Sequence, residues 1–540
     1  MDIYDYIVVG AGSSGCVVAS RLSEDPRTRV LLIEAGGSMD AFWVNTPAGM
    51  AKLFGSERYN WRFKTQPEPM LGGRQVQWDR GKGLGGSSSI NGMIYMRGQP
   101  EDYDLWERLG NPGWGWNDVL PYFKRSENNA SLHDAAHGDQ GPLSVTDPVE
   151  VHPSAEDFVA ASVNAGIPRT RDLNAPPHPG VGVRQYTIKG GQRHTTYKAF
   201  IEPVRHRSNL SVLTDAHVAR VLLDGEQATG VEVLHGGQRR QIAAAREVIL
   251  SAGALASPQL LMLSGIGEAA QLQRHGIAVR HALPGVGRNL QDHWYASLTW
   301  RATPGSSVNH RLSGLRKYLE GARYVFTHGG YLALGAAPVS AYTRSSSAPD
   351  ARADVQLTFN PMSFSGTPTG EVAADGYPGV SGSVVLLTPE SRGHMELASA
   401  DPLAAPLFRP NYFSAENDIR RHVGGLRLLR QIIGTPPLSR RVVEEVKPGP
   451  GCESDAQLFE HIQRTGGTGW HMVGTCKMGS DAGAVVDARL RVHGVRRLRV
   501  MDAAIMPLVT AGNTNAPCIM IGEKGADMVR EDALAPRVIA

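Results

Sequence analysis

The first apolar positions of the chain predict a strand, a tight loop and a helix in succession. Residues 6–9 are β-branched or aromatic, residues 10–15 are rich in glycine, and residues 16–22 place apolar side chains at helical spacing. A second apolar run, Val30–Ile33, follows. Residues 6–34 therefore predict one β-α-β unit with parallel strands, from which a doubly wound sheet begins.

Distant segments return to the same pattern. Residues 247–251 predict another strand, after which Ser257 and Pro258 suit the N-cap and first turn of a helix that continues through residues 260–263. Residues 210–214, 218–223 and 230–234 predict short strands, with Asp224 and Gly225 in a turn. We expect these three strands to form an antiparallel meander beside the first sheet.

The second half of the chain predicts a separate antiparallel sheet. Residues 354–359 and 383–387 are strand-like, and breaks rich in Gly, Pro and Ser lie between them. Residues 419–433 and 456–464 alternate charged and apolar positions at helical spacing. A second domain, with helices against this sheet, is the expected arrangement.

Composition places the chain among folded globular proteins. Its 540 residues are 41% apolar and 20% charged, and the mean hydropathy is −0.24, away from the compositions that stay disordered. The net charge is only +3, and without a basic run this excludes the electrostatic footprint of a nucleic-acid binder. The four cysteines have no zinc-type spacing, so we expect no metal site.

Targeting signals are not apparent in the pattern. The N-terminus has neither a basic region nor a small-residue cleavage site, and charged residues or glycines interrupt every apolar stretch before it reaches about 18 residues. We expect a cytoplasmic protein, with membrane contact that is at most peripheral to the inner face.

The glycine-rich loop at the N-terminus is the first motif with chemistry. Gly10, Gly12 and Gly15 let the backbone turn tightly, approach a pyrophosphate and pack helix against strand, and the helix N-terminus adds positive potential. Glu34 ends the second strand, where a carboxylate can accept hydrogen bonds from a ribose. The candidate nucleotide contacts also include Ser14 in the loop and Ala35 after the acid.

Two further runs of small residues carry the next motifs. Residues 80–92, RGKGLGGSSSING, expose many backbone N–H groups, which suits a wall against a large anionic or planar cofactor. Residues 253–267, GALASPQLLMLSGIG, follow the late strand. Together these two runs resemble the signature patterns of the glucose-methanol-choline (GMC) family of FAD-dependent oxidoreductases.

The resemblance extends over essentially the whole chain. It continues through residues 284–293, PGVGRNLQDH, and through most of the C-terminal 75 residues. Residues 59–61, Gly98, residues 102–103 and residues 512–517 are most similar to the choline dehydrogenase and alkanol dehydrogenase branch. The chain is thus identified as a member of a family with an α/β fold, in which FAD is the cofactor.

The resemblance also implies how the chain divides. A discontinuous Rossmann-like FAD-binding domain would comprise residues 1–40, 75–100, 190–300 and 465–540. A substrate-binding domain, with an antiparallel β-sheet flanked by helices, would comprise residues 41–74, 101–189 and 301–464.

By the same resemblance, His471 and Asn513 match the two catalytic positions of the family. Imidazole can accept a hydroxyl proton near neutral pH, while an amide N–H can stabilise the developing alkoxide. The 42 positions between them mean that only the fold could bring the two side chains together. Trp470, which precedes the histidine, joins the candidate cofactor contacts.

Further cofactor contacts are implied in the same way. The resemblance assigns Val218 to the adenine, and Leu84, Asn91, Gly92, Met93 and Ile94 to the surroundings of the flavin. Asp502 would lie near the pyrophosphate or ribityl chain, where it would accept hydrogen bonds from hydroxyls or backbone N–H groups. Where some members have a histidine bonded to the flavin, this chain has Ile90, which implies non-covalent FAD. Met472 follows the histidine where close relatives have proline, which implies a reshaped, apolar pocket.

These features predict oxidation of a primary aliphatic or benzylic alcohol to an aldehyde, by proton abstraction and hydride transfer to flavin N5. Electrons would pass to a quinone, another carrier or oxygen, so an alcohol oxidase is an alternative. Choline dehydrogenase and an enzyme similar to hydroxynitrile lyases on the same fold are the others.

Overall fold

The computed structural model describes residues 3–175, 180–366 and 372–534. Its N-terminal unit follows the predicted order: the strand Ile3–Val9, the helix Ser13–Leu22 and the strand Val30–Ile33. The two strands pair in parallel, with Val9 opposite Ile33. This unit is almost entirely buried, because its apolar residues face layers on both sides of the sheet.

The first sheet has seven strands drawn from distant parts of the chain. Its long strand Gln238–Leu250 pairs in parallel with Ile3–Val9 near its C-terminal end, and antiparallel with a hairpin near its N-terminal end. In spatial order the sheet contains Leu210–Leu213, Val30–Ile33, Ile3–Val9, Gln238–Leu250, Gln227–His235 and Ala216–Asp224, while Leu498–Val500 pairs in parallel with Gln238–Leu250. The predicted α/β class is confirmed.

Two local predictions for this sheet were wrong. Leu210–Leu213 does not belong to an antiparallel meander, since it pairs in parallel with Val30–Ile33 at the sheet edge. The helix after the long strand begins at Gly253 rather than near Ser257, and Pro258 lies inside it. The Ser257 hydroxyl donates to Asp502 (2.5 Å) rather than capping a helix, so tertiary contact overrides the local cap signal.

The second sheet is antiparallel throughout and also has seven strands. The helix Glu416–Ile433 packs on it, with Gly425 against Val384 and Leu429 against Gly382. In spatial order the strands are Val442–Lys447, Trp294–Ala302, Gly379–Leu386, Val355–Asn360, Val339–Thr343 and Gly180–Val183, while Gly467–Thr468 pairs with Trp294–Ala302. The predicted antiparallel sheet flanked by helices is therefore present.

The remaining elements connect and cover the two sheets. The other α-helices are Phe42–Asn45, Met50–Leu53, Pro100–Arg108, Trp116–Ser126, Pro153–Asn164, Ala269–Arg274, Arg316–Thr327, Asp455–Thr465 and Asn515–Leu534. The short strands are Phe63–Lys64, Gln77–Trp78, Ile94–Tyr95, Glu127–Asn129, Leu143–Val145, Gln185–Tyr186, Ile188–Lys189, Gln192–Arg193, Ile266–Gly267, His281–Ala282, Phe364–Gly366, Val372–Ala374, His394–Glu396 and Leu407–Arg409. In the part of the chain that the structure describes, no helix combines the length and the apolar character needed to span a bilayer. The exact domain boundaries stay a prediction.

Candidate functional site

A cavity of about 2180 Å³ lies between the two sheets. Small-molecule sites usually enclose about 300–1,000 Å³, so this space suits a large cofactor together with a substrate. One side is formed by the ends of the first sheet at Val9 and Ile33, and the other by strands of the second sheet at Gln356 and Val385. Every predicted site residue except Gly15 and Leu84 lines it.

The glycine loop has a different physical reason for each glycine. Gly10 has a φ of +100°, and Gly15 lies so close to the loop that an added Cβ would be 1.9 Å from the Gly10 carbonyl oxygen. Gly15 therefore packs helix against strand. Gly12 lines the cavity, and an added Cβ there would meet no atom within 4 Å, so its surface is open to a ligand.

Glu34 stands beneath this loop and organises the backbone around it. Its carboxylate accepts hydrogen bonds from the N–H groups of Ala11 (2.9 Å), Gly36 (3.0 Å) and Gly83 (3.1 Å). Burial raises the pKa of Glu34 to about 7 even though these hydrogen bonds favour the carboxylate. Glu34 thus ties the N-terminal loop to the second glycine-rich run and also lines the cavity.

The second glycine-rich run forms a shaped wall. An added Cβ at Gly86 would lie 2.8 Å from the Gly12 Cα, so the two loops are in direct contact. Asn91 Oδ1 accepts from the Met93 N–H (3.0 Å) and from Arg193 Nη1 (2.8 Å). Leu84 is buried away from the cavity, because its N–H donates to the Gly37 carbonyl (3.1 Å) and holds the loop there.

Asp502 receives protein donors only, of the backbone kind expected and a hydroxyl. Its carboxylate accepts from the N–H of Gly253 (2.8 Å), from the N–H of Ala504 (2.8 Å) and from the Ser257 hydroxyl. Burial raises the pKa of Asp502. The acid therefore fixes the start of the helix Gly253–Leu263 against the cavity, rather than standing as an isolated charge.

His471 and Asn513 meet at the cavity wall. Asn513 Nδ2 lies 3.0 Å from His471 Nε2, although the residues belong to separate loops. Within the described residues, the buried Asn513 Oδ1 has no hydrogen-bond partner. Both side chains line the cavity, so the pair presents a base and an amide to one volume.

A second histidine fixes which nitrogen of His471 is the base. His293 Nε2 lies 2.8 Å from the Leu387 carbonyl oxygen, which can only accept, so this nitrogen carries the proton. In the neutral ring His293 Nδ1 is then an acceptor, and His471 Nδ1 at 2.9 Å is its donor. His471 Nε2 is left with its lone pair toward Asn513 and the cavity.

The electrostatics of both rings agree with this assignment. Burial lowers the pKa of His293 to about 4. Burial, followed by the repulsion of His293, Arg80 and Arg184, holds the pKa of His471 well below its ordinary value. Both imidazoles are therefore neutral at pH 7, and each neutral ring has one donor and one acceptor nitrogen.

The backbone around His471 is tightly held. Its N–H donates to Asp292 Oδ1 (2.8 Å), and Asp292 also accepts from the hydroxyls of Thr468 (2.6 Å) and Tyr412. Trp470 has a φ of +59°, which is strained for a large side chain. Arg80 Nη2 donates to the Trp470 carbonyl (2.5 Å) and the Trp470 ring stacks on Phe54 (5.3 Å).

Sequence reasoning missed three side chains of the site. His293 ends the run PGVGRNLQDH, and an Asp-His pair at the end of a glycine-containing run was the available signal. Arg193 anchors Asn91 and Arg184 lines the cavity. The two arginines had no signal, because neither lies in a motif.

Comparison with known proteins follows the same lines. Two family profiles described as GMC oxidoreductase match residues 4–295 and 389–522. The chain is 42% identical over 531 residues to an alcohol dehydrogenase (acceptor) of Pseudomonas putida, covering 98% of this chain and 96% of the relative. It is 40% identical over 541 residues to oxygen-dependent choline dehydrogenase 1 of Chromohalobacter salexigens, covering 99% and 96%. Among solved structures, pyridoxine 4-oxidase from Mesorbium loti is similar with a TM-score of 0.88 at 32% identity, covering 98% of this chain and 99% of that chain.

Proposed function

The chain belongs to the GMC family of FAD-dependent oxidoreductases, and we propose that it oxidises a primary aliphatic or benzylic alcohol to an aldehyde. The observation that carries the proposal is the His471 Nε2 to Asn513 Nδ2 contact of 3.0 Å at the wall of the cavity. A neutral base and an amide donor on one volume are what removal of a hydroxyl proton requires.

The residues that would hold FAD are those of the two glycine-rich loops. The open surface of Gly12 and the N-terminus of the helix Ser13–Leu22 suit the pyrophosphate. Val218 would face the adenine, and residues 91–94 would border the flavin, with Ile90 offering no group for a covalent bond. When bound, FAD accepts the hydride that leaves the alcohol carbon, at its N5 atom.

The roles of the chain's own groups follow from their hydrogen bonds. His471 Nε2 accepts the hydroxyl proton, while His471 Nδ1–H stays bonded to His293 Nδ1. Asn513 Nδ2–H then donates to the alkoxide oxygen, which orients the C–H bond and stabilises the negative charge. Burial of the base excludes water and strengthens both interactions.

The charges near the base favour a neutral alcohol. The guanidinium groups of Arg80 and Arg184 act on His471 with a repulsion that lowers its pKa, and the same positive potential disfavours a quaternary ammonium group. Choline is therefore the weaker candidate, although Trp470, Phe54 and Tyr295 offer aromatic faces in the same cavity.

Anaerobic mixing of the holoenzyme with a panel of alcohols tests the proposal. Octan-1-ol or benzyl alcohol should bleach the visible flavin absorption and yield one aldehyde per flavin, and choline should do so less efficiently. If no alcohol reduces the flavin while a cyanohydrin releases cyanide without change in absorbance, the enzyme is a lyase and the proposal fails.

The electron acceptor is a separate part of the proposal. A quinone or another carrier and oxygen are the two candidates. Reoxidation of the reduced enzyme by air within the time of one turnover, with release of peroxide, identifies an oxidase. Slow reaction with air and fast reaction with a soluble quinone identifies a dehydrogenase. The cytoplasmic location predicted from the sequence stays part of this proposal.

A further inference from the structure

The helix Arg316–Thr327 directs its apolar face outward. Leu315, Tyr318, Leu319, Val325 and Phe326 follow the spacing of one helical stripe, and their exposed fractions run from 55% to 85%. The side toward the protein is the one that contains the buried Tyr324, whose hydroxyl donates to the Gly191 carbonyl (3.3 Å). A helix on a globular surface normally buries its apolar stripe, so this orientation marks an interaction surface.

Two aromatic residues extend the apolar surface beyond the helix. Phe42 and Trp43 are about half exposed, and the Phe42 ring lies 6.2 Å from the ring of Tyr324. We call this surface the docking face, and it consists of Phe42, Trp43, Leu315, Tyr318, Leu319, Ala322, Val325 and Phe326. Large apolar and aromatic side chains in this density are typical of surfaces that enter the boundary between lipid headgroups and acyl chains.

The charges around the docking face are positive. Residues 311–328 include four Arg or Lys and one Glu. That carboxylate, Glu320, is turned toward the protein, where it accepts from the Tyr331 N–H (3.4 Å). Arg316 and Arg323 lie next to the apolar stripe at one side of the helix, because they are seven residues apart. A surface of this kind is complementary to anionic headgroups.

The same charges disfavour a second copy of this chain as the occupant. A two-fold dimer would pair the face with itself and bring the two cationic borders together. We propose that the docking face binds a bilayer containing anionic lipids, with its apolar side chains among the acyl chains near the headgroups and its arginines at the lipid phosphates.

The docking face adjoins the mouth of the cavity. Leu312, Lys317 and Tyr318 line the cavity, and Lys317 and Tyr318 belong to the exposed helix. In the docked orientation, an apolar alcohol dissolved in the bilayer reaches the cavity without crossing water. This consequence rests on the proposed alcohol oxidation, whereas docking itself does not.

Vesicle flotation with the holoenzyme tests the docking. The wild type should float with vesicles of phosphatidylcholine and phosphatidylglycerol (3:1) and bind pure phosphatidylcholine at least fivefold more weakly. The double variant Leu319→Ser/Phe326→Ser should lower the partition coefficient at least tenfold. The matched control Leu109→Ser/Val443→Ser removes two other exposed apolar side chains and should bind like the wild type. Arg316→Gln/Arg323→Gln should remove most of the preference for phosphatidylglycerol.

Two results would overturn the proposal. One is a holoenzyme that stays with the aqueous phase in both kinds of vesicle. The other is a dimer in sedimentation velocity that Leu319→Ser/Phe326→Ser converts to monomer while neither protein floats, which would make a second copy the occupant.

Kinetics separate docking from catalysis. Leu319 and Phe326 do not line the cavity, so the double variant should oxidise a water-soluble alcohol with a soluble dye at the wild-type rate. With a long-chain alcohol held in vesicles, its rate should fall at least fivefold. Failure of the soluble assay in both proteins would count against the proposed function, and not against docking.

Discussion

The assignment of protons within the His293–His471–Asn513 series depends on a single carbonyl. Because the Leu387 oxygen accepts from His293 Nε2, every nitrogen further along has a fixed role, and His471 Nε2 is the base. His293 touches His471 rather than the substrate, so it is a positioning residue. Its own low pKa, about 4, keeps it neutral and able to accept from His471.

Replacing His293 should weaken catalysis through orientation. In His293→Phe, His471 loses the acceptor for Nδ1–H and both neutral forms of the ring become populated. We expect the rate of flavin reduction to fall about tenfold to a hundredfold at unchanged flavin content. His293→Asn, whose side-chain oxygen is an acceptor, should recover part of the rate.

The pH profile distinguishes this role from mere packing. The pKa of His471 lies well below 6.5 in the fold, so the wild-type reduction rate should be constant near neutrality and fall only in acid. In His293→Phe the repulsion from His293 is absent, and the acid limb should move to higher pH. A lower rate with an unshifted acid limb would contradict the role given to His293.

At the scale of an element, the N-terminal loop offers a matched pair of glycines. In Gly12→Ala the new Cβ projects into the cavity, where no protein atom lies within 4 Å. The apoprotein should keep its melting temperature while the affinity for FAD falls at least tenfold, read from the flavin released on dilution.

Gly15→Ala is the control for that change. Its new Cβ would collide with the Gly10 carbonyl oxygen, so the βαβ unit must distort, and the apoprotein should lose about 2 kcal/mol or more of unfolding free energy. Equal effects of the two alanines on melting temperature would contradict the assignment of one glycine to the ligand and the other to packing.

The helix Glu416–Ile433 contains a buried group that links stability to pH. Burial lowers the pKa of His422 to about 3, against about 6.5 in the unfolded chain. The unfolded state therefore binds the extra proton, and the free energy of unfolding decreases as the pH falls from about 6.5 toward 3.

Replacement of His422 tests that linkage. Between pH 6.5 and 4, His422→Leu should lose about 3 kcal/mol less unfolding free energy than the wild type, measured by urea denaturation. His206→Leu, at an exposed position, should behave like the wild type. Parallel pH dependence of all three proteins would mean that His422 does not contribute.

Over the whole molecule, the sequence predicted elements well where the apolar period was strong and short in range. The βαβ unit and the helix Glu416–Ile433 were recovered within a few residues. The position of Leu210–Leu213 was not, because a short apolar strand pairs in either direction and only the neighbouring Val30–Ile33 decides.

The site divided in the same way. Glycine spacing predicted the loop that contacts the cavity, and the resemblance to a family pointed to His471 and Asn513. The His293 contact joins residues 178 positions apart, and no local pattern reports such a distance. The outward apolar face of Arg316–Thr327 was also hidden, since an amphipathic period does not state which side is buried.

The most direct test of the central claim is the rate of anaerobic flavin reduction by one saturating alcohol in wild type and in His471→Ala of equal flavin content. Loss of a general base lowers a rate by about 10²-fold or more, so the account predicts at least that decrease, with the flavin still bound. A variant that reduces its flavin within tenfold of the wild type would contradict it.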